Sequence, residues 1–290
     1  MRAERSTFPV ALALAAAVAC RRPAETAPPP AARDAAPERF DAALAEGDRD
    51  FALRGDAARL EGALRAYRLA AARKPGEPAA ELRLARAEAF RGLSAQAPAL
   101  AREAWEASAR AAERALRKIS PGWAEAIDRG DDPAAAAARV DAPGAEALYL
   151  LAQGAMRAGQ ATGYAAVLAV KDSALAMMAR AAELDERVDA AGPHRALGAW
   201  RAALPIAAGG GAAASRGHFD RARALAPDDQ LARVAEAETW AVLVQDEIRF
   251  DQLLDGVLAF DLGRDPVRAP ENALAKRRAK DLLQRKARLF

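Results

Sequence analysis

One spacing recurs in this chain and limits what it can fold into. Ala63, Tyr67, Ala70 and Pro75 place a small residue, a large one, a small one and a proline at intervals of 4, 3 and 5. Ser215, Phe219, Ala222 and Pro227 repeat it, and Ala174, Met178 and Ala181 repeat it with Glu186 in the proline's place. Positions i, i+4 and i+7 share one face of a helix. Small residues there admit a neighbouring helix, the large one fills the gap between helices, and proline ends the run because it cannot donate to the preceding turn. Composition agrees: alanine supplies 85 of the 290 residues and aromatics only 5%. That is helix-forming usage. No run of β-branched residues reads as a buried strand, which excludes a β-sandwich, a barrel and a parallel α/β sheet.

The spacing is that of the second helix of a tetratricopeptide repeat, whose period is about 34 residues. Matching first helices carry a leucine–small pair at Leu84-Ala85 and Leu197-Gly198, and helical segments continue over Gln230–Val244 and Ile248–Phe260. The expected fold is therefore all-α, with irregular tetratricopeptide-like hairpins stacked in a right-handed solenoid over residues 39–290. The irregularities carry information. The Gly209-Gly210-Gly211 loop after Pro205 lengthens one repeat, a long connection is expected around Gly159–Val170, and Ser120–Gly144 is broken by Pro121, Pro133 and Pro143. A plain scaffold seldom needs such inserts, whereas a protein that builds a pocket between hairpins does.

The N-terminus reads as an export signal. Arg2 and Arg5 precede an apolar stretch from Phe8 to Ala19, too short to span a bilayer. Cys20, the only cysteine, follows Ala17-Val18-Ala19 as in a bacterial lipobox, so residues 1–19 are expected to be a lipoprotein signal peptide and Cys20 the lipidated residue. Residues 20–38, rich in proline and alanine, read as a tether that cannot bury a core. The expected location is the periplasm, with the anchor in the outer membrane because Arg21 rather than an aspartate follows the cysteine.

Charge excludes more than it suggests. Forty-three basic against 40 acidic residues give +3, with the signs interleaved, and nucleic-acid binding is not expected. No nucleophile elbow, paired general acid and base, or phosphate-binding lysine is present, so the chain does not read as an enzyme. His194 and His218, the only histidines, could meet, but neither a metal nor another cofactor is expected. The large aromatics are more telling. Tyr149, Trp200 and Trp240 are each either core filling or the wall of a groove that contacts a partner or lines a pore.

The run Gly192-Pro193-His194-Arg195-Ala196-Leu197-Gly198 resembles the GPHR-x-LG signature of the TatT family, the T component of tripartite ATP-independent periplasmic (TRAP) transporters. Glu146–Ala152 resembles the first helix of the preceding repeat. Leu204-Pro205, the glycine-rich loop, His218-Phe219 and Ala226-Pro227-Asp228 follow in the family's order, and Ala269–Leu283 resembles its closing helix. One departure is Gly211, where the family has an acidic residue. The resemblance implies an accessory lipoprotein that binds the solute-binding (P) component, takes up an apolar ligand in a pore beside the Pro205 insert, and assembles as a homotrimer. It favours Tyr149 and Trp200 as groove residues, and it places the partner surface on exposed positions around Gly192–Trp200 and the Gly209–Gly211 insert. The alternative is a tetratricopeptide lipoprotein that scaffolds an envelope complex and has no ligand path.

Overall fold

The computed structural model describes residues 30–290, with side chains from residue 39. The signal segment, Cys20 and the first part of the tether lie outside the described residues. Helix α1 (Pro30–Ala52) takes in the last part of the stretch read as a tether.

Every described element is helical, as expected. The hairpins are α1 with α2 (Ala57–Arg73), α3 (Pro78–Ser94) with α4 (Pro98–Ile119), α7 (Ala145–Thr162) with α8 (Tyr164–Leu184), and α9 (Val188–Ala203) with α10 (Ala212–Leu225). They pack in chain order, α2 on α3, α4 on α7 and α8 on α9. Prolines open α3 and α4, and the Asp56 carboxylate caps α2 by accepting from the backbone N–H groups of Ala58 and Arg59. All nine small–large–small residues are buried: Ala63, Tyr67 and Ala70 on α2, Ala174, Met178 and Ala181 on α8, and Ser215, Phe219 and Ala222 on α10. Close approach is literal at Gly198 of α9, where a Cβ would stand 3.0 Å from the Phe219 ring.

Two of the inserts differ from expectation. The long connection around Gly159–Val170 is a single residue, Gly163, at φ 139°, and the surplus length extends α8 instead. Alanine-rich sequence there propagates a helix on either side of one glycine that can adopt a backbone L-residues avoid. Ser120–Gly144 is also largely helical, forming α5 (Pro121–Asp128) and α6 (Pro133–Ala136), which bury Trp123 and reach α8. Proline at the first position of both helices sets these breaks.

The chain finishes with α11 (Gln230–Ala235), a π-helical continuation over Glu236–Ala241, α12 (Glu247–Ala259) and α13 (Ala269–Gln284). Their core, around Val234, Phe250, Leu254 and Leu282, is separate from the large core of α2 to α9. Helix α13 joins the two, giving Ala275 and Leu282 to one and Leu274 to the other. It also reaches the first hairpin. Arg54, in the α1–α2 turn, donates to both carboxylate oxygens of Glu271 at 2.8 and 2.5 Å and to the Val267 carbonyl at 2.6 Å. Both side chains of this pair are almost withdrawn from solvent, so the two ends of the array are fastened across 217 residues of sequence.

Candidate functional site

The fold shapes a cavity of about 950 Å³ that is open to solvent. Its walls are the inner faces of α3, α7, α9, α11 and α13, with Phe51 and Arg54 of the first hairpin at its side. On α7 the lining positions after Ala145 are Glu146, Tyr149, Leu150, Gln153 and Arg157, one stripe at helical spacing. First helices thus face the cavity, while the small–large–small faces of second helices are taken up by packing.

The N-terminal ends of α7, α9, α11 and α13 meet in an ionic network in which Arg195, Arg268 and Asp229 are largely withdrawn from solvent and Asp189 stands at the exposed edge. Arg195 donates to Asp189 at 2.7 Å and to Asp229 at 2.6 Å, and Arg268 donates to the same two carboxylates at 2.7 and 3.1 Å. The Tyr149 hydroxyl donates to Asp189 at 2.6 Å, and the Gln153 amide donates to that hydroxyl at 2.8 Å. Asp229 has no exposed side-chain surface. Burial alone would raise the pKa of Asp189, but the guanidinium groups of Arg268 and Arg195 outweigh it and hold the carboxyl well below its ordinary range. The same burial, with Asp189 alongside, pushes the Tyr149 hydroxyl well above the ordinary tyrosine value, so it stays a donor. Each charge is paired and hydrogen-bonded, the condition on which ions are tolerated inside a protein.

This network explains the backbone beside it. Asp189, Ala190 and Ala191 lie in the left-handed region, at φ 48°, 53° and 59°, although none is glycine. Such a run costs roughly 1–2 kcal/mol per residue and persists only where its surroundings over-determine it. Here the turn aims the Asp189 carboxylate at two arginines and brings Gly192 against Tyr149, whose hydroxyl a Cβ would meet at 2.6 Å. The rest of the motif then has separate duties. Pro193 opens the regular helix, Arg195 holds the network, Leu197 is core, and Gly198 admits Phe219. His194 Nδ1 stands 3.1 Å from His218 Nδ1, one ring donating to the other. Burial lowers the pKa of both imidazoles, that of His218 to about 4 with the neighbouring His194 adding to the effect. Among the described residues no group of three or more His, Cys, Asp or Glu side chains could hold a metal.

The aromatic candidates divide. Tyr149 and Trp200 both line the cavity, whereas Trp240 does not. Its indole N–H donates to the Ala212 carbonyl at 3.0 Å and Arg216 stacks on its ring. Trp200 is only 3% exposed, so it is no surface anchor, and Gly192–Trp200 as a whole is mostly buried. A partner surface there is corrected by the packing of α9 between α10 and the cavity. The cavity also does not lie beside the Pro205 insert, since none of residues 205–211 lines it. That insert is a closed surface turn. Arg201 donates to the Gly209 carbonyl at 2.5 Å and accepts from the Gly211 N–H at 2.8 Å, and Gly209 and Gly211 supply φ of 74° and 98°. Ile206 stands out from it at 83% exposure.

Sequence reading missed the cavity's arginines. Arg54, Arg86, Arg157 and Arg268 come from four separate segments, and the carboxylates that pair with Arg54, Arg86 and Arg268 are distant in sequence. Only Arg157 carried a signal, its spacing from Tyr149 and Gln153. No curated protein matches the chain. The sequence profile of the TRAP transporter T-component (TAtT) matches residues 58–290, which span the cavity walls, the motif helix and the closing helix. On that match, four-fifths of its length, the chain belongs to the TRAP transporter T-component family.

Proposed function

We propose that this protein is a lipid-anchored periplasmic accessory component that docks the solute-binding (P) component of a TRAP transporter and holds an apolar ligand in its central cavity. Membership of the family gives the accessory role in TRAP transport. The observation that carries the finer reading is the cavity itself. A scaffold of stacked hairpins has no need of a 950 Å³ cavity, nor of a strained turn and an ionic network to shape it. In this reading Cys20 carries the lipid, the tether holds the body off the outer membrane, and three copies assemble. The partner surface moves from Gly192–Trp200 to the exposed Pro205–Gly211 turn, where Ile206 offers an unpartnered apolar side chain on a hydrogen-bonded turn. Affinity-tagged protein purified from the envelope of its own host should carry a solute-binding protein with it, and mass spectrometry of the mature chain should find an acylated Cys20. Recovery of other envelope proteins without a solute-binding protein would favour the scaffold.

A further inference from the structure

The interleaving of charge fails in one stretch. Between Lys276 and Arg288 stand seven basic residues and one acidic residue, +6 in a chain whose net charge is +3, so the rest of the sequence is net acidic. Part of this charge is neutralised locally. Arg278 pairs with Glu238, and Lys286 pairs with Glu247 and Asp251 of α12 at 2.7 and 2.6 Å. Arg277, Lys280, Arg285 and Arg288 are exposed and have no carboxylate within ion-pair distance among the described residues. Arg285 reaches only the Asp281 carbonyl, at 3.3 Å. Asp281, the one acid of the stretch, is exposed as well, so the solvent side of α13 and of the 3-10 turn beyond it (Lys286–Arg288) keeps a surplus of positive charge.

That end of α13 abuts an apolar tip. The turn that leads from the π-helical segment into α12 exposes Leu243, Val244 and Ile248, the last at 74%. Gln245, at φ 57°, reverses the chain there, and its amide donates to the Val242 carbonyl at 2.9 Å and to the Leu289 carbonyl at 3.2 Å. The tip is thus tied to the segment that carries Arg285 and Arg288. Beneath it Phe250 and Phe290 pack edge to face with ring centroids 5.2 Å apart. The core of Phe250, Leu254 and Leu282 closes without the three exposed side chains, so folding does not account for them.

We propose that this end of the molecule, Leu243, Val244 and Ile248 together with Lys280, Arg285 and Arg288, docks on a lipid surface that bears anionic phosphate headgroups. Apolar side chains dip below the headgroups while long basic ones reach up to the phosphates, and the two contributions add. A protein is the competing occupant. Lipid is favoured because the unpaired charges are single, exposed and strung along the helix, about 12 Å from Arg277 to Arg285 at 1.5 Å per residue. A fluid headgroup layer meets such a row without shape complementarity. The contact is separate from the cavity and from acylation at Cys20. A tether limits how far the body stands from a membrane, and this contact decides which end approaches one.

Vesicle co-sedimentation tests the assignment, with the full chain carrying Cys20→Ser, which cannot be acylated and whose N-terminal segment is the same in every variant. Vesicles of phosphatidylcholine with phosphatidylglycerol should bind about tenfold more tightly than phosphatidylcholine alone, and added salt should weaken that preference. Arg285→Gln with Arg288→Gln should cost about twentyfold on the anionic vesicles, since each basic residue near such a surface is worth about fivefold. Ile248→Ser should weaken binding to both compositions by about fivefold through lost apolar contact. Melting temperatures should not change. Equal binding to the two compositions, no binding, or affinity that survives these substitutions would each overturn the proposal. Arginine variants that keep vesicle binding but lose a solute-binding protein captured by the parent would also overturn it, and would give the surface to a protein.

Discussion

Arg195 shows how much one side chain can organise. It joins the motif helix to Asp189 and Asp229, and removing it would leave Asp229, which has no exposed surface, with Arg268 as its remaining arginine. Breaking a buried pair from one side typically costs about 3–5 kcal/mol where the remaining charge is left uncompensated, and the retained Arg268 keeps the loss to the lower end, about 3 kcal/mol. Arg195→Ala should lower the urea-unfolding free energy by that order, whereas Arg157→Ala, which strands no partner, should change it by less than about 0.5 kcal/mol. The histidine pair gives a pH dependence of definite sign. Both folded pKa values lie below the ordinary histidine value, so the unfolded chain binds protons more readily. The stability this contributes is fully present above about pH 6.5 and is lost as pH falls through the folded value of His218, about 4. His218→Asn should flatten the decline of melting temperature across that interval. The effect of Asp189, whose folded pKa is also depressed, falls below it, in the more acidic range where carboxyl groups titrate. A decline in the variant as steep as in the parent would remove the histidine pair from the account.

Helices, and their second-helix faces above all, were legible in the sequence because they obey a local period. Ala63, Tyr67 and Ala70 must share a face if the segment is helical, and Phe219 and Ser215 follow the same rule. The cavity wall was less legible. Asp189 and Arg195 are six apart, a spacing that points away from contact on a regular helix, and they meet only because three residues turn left-handed between them. Gly163 misled for a related reason: one glycine can reverse a chain that composition alone would give a long loop. The motif glycines on α9 offer a graded test. Gly198→Ala brings a methyl to 3.0 Å from the Phe219 ring, a contact the ring can relieve by shifting slightly, and should cost about 1–2 kcal/mol. Gly192→Ala brings one to 2.6 Å from the Tyr149 hydroxyl, which is held by Asp189 and Gln153, and should cost more by displacing the network as well. Thermal unfolding of both variants checks the order, and a smaller loss at Gly192 would contradict the close approach described.

At the scale of the whole molecule, the Arg54–Glu271 fastening joins the first hairpin to the closing helix at the side of the cavity, and no local pattern in the sequence announces it. Arg54→Ala should raise hydrogen exchange in α13 and in the α1–α2 hairpin together, and leave α7 and α8 protected. Exchange confined to the α1–α2 turn would mean that the two ends are not energetically joined. The central claim concerns what the assembled body does, and a titration of the soluble body against the purified solute-binding component of its own transporter tests it most directly. The account predicts saturable binding at micromolar concentration or tighter, weakened at least tenfold by Ile206→Asp with no change in melting temperature, as expected when an exposed apolar anchor is replaced by a charge. Absence of binding at micromolar concentration by the correctly folded, acylation-free body would contradict it and leave the scaffold in its place.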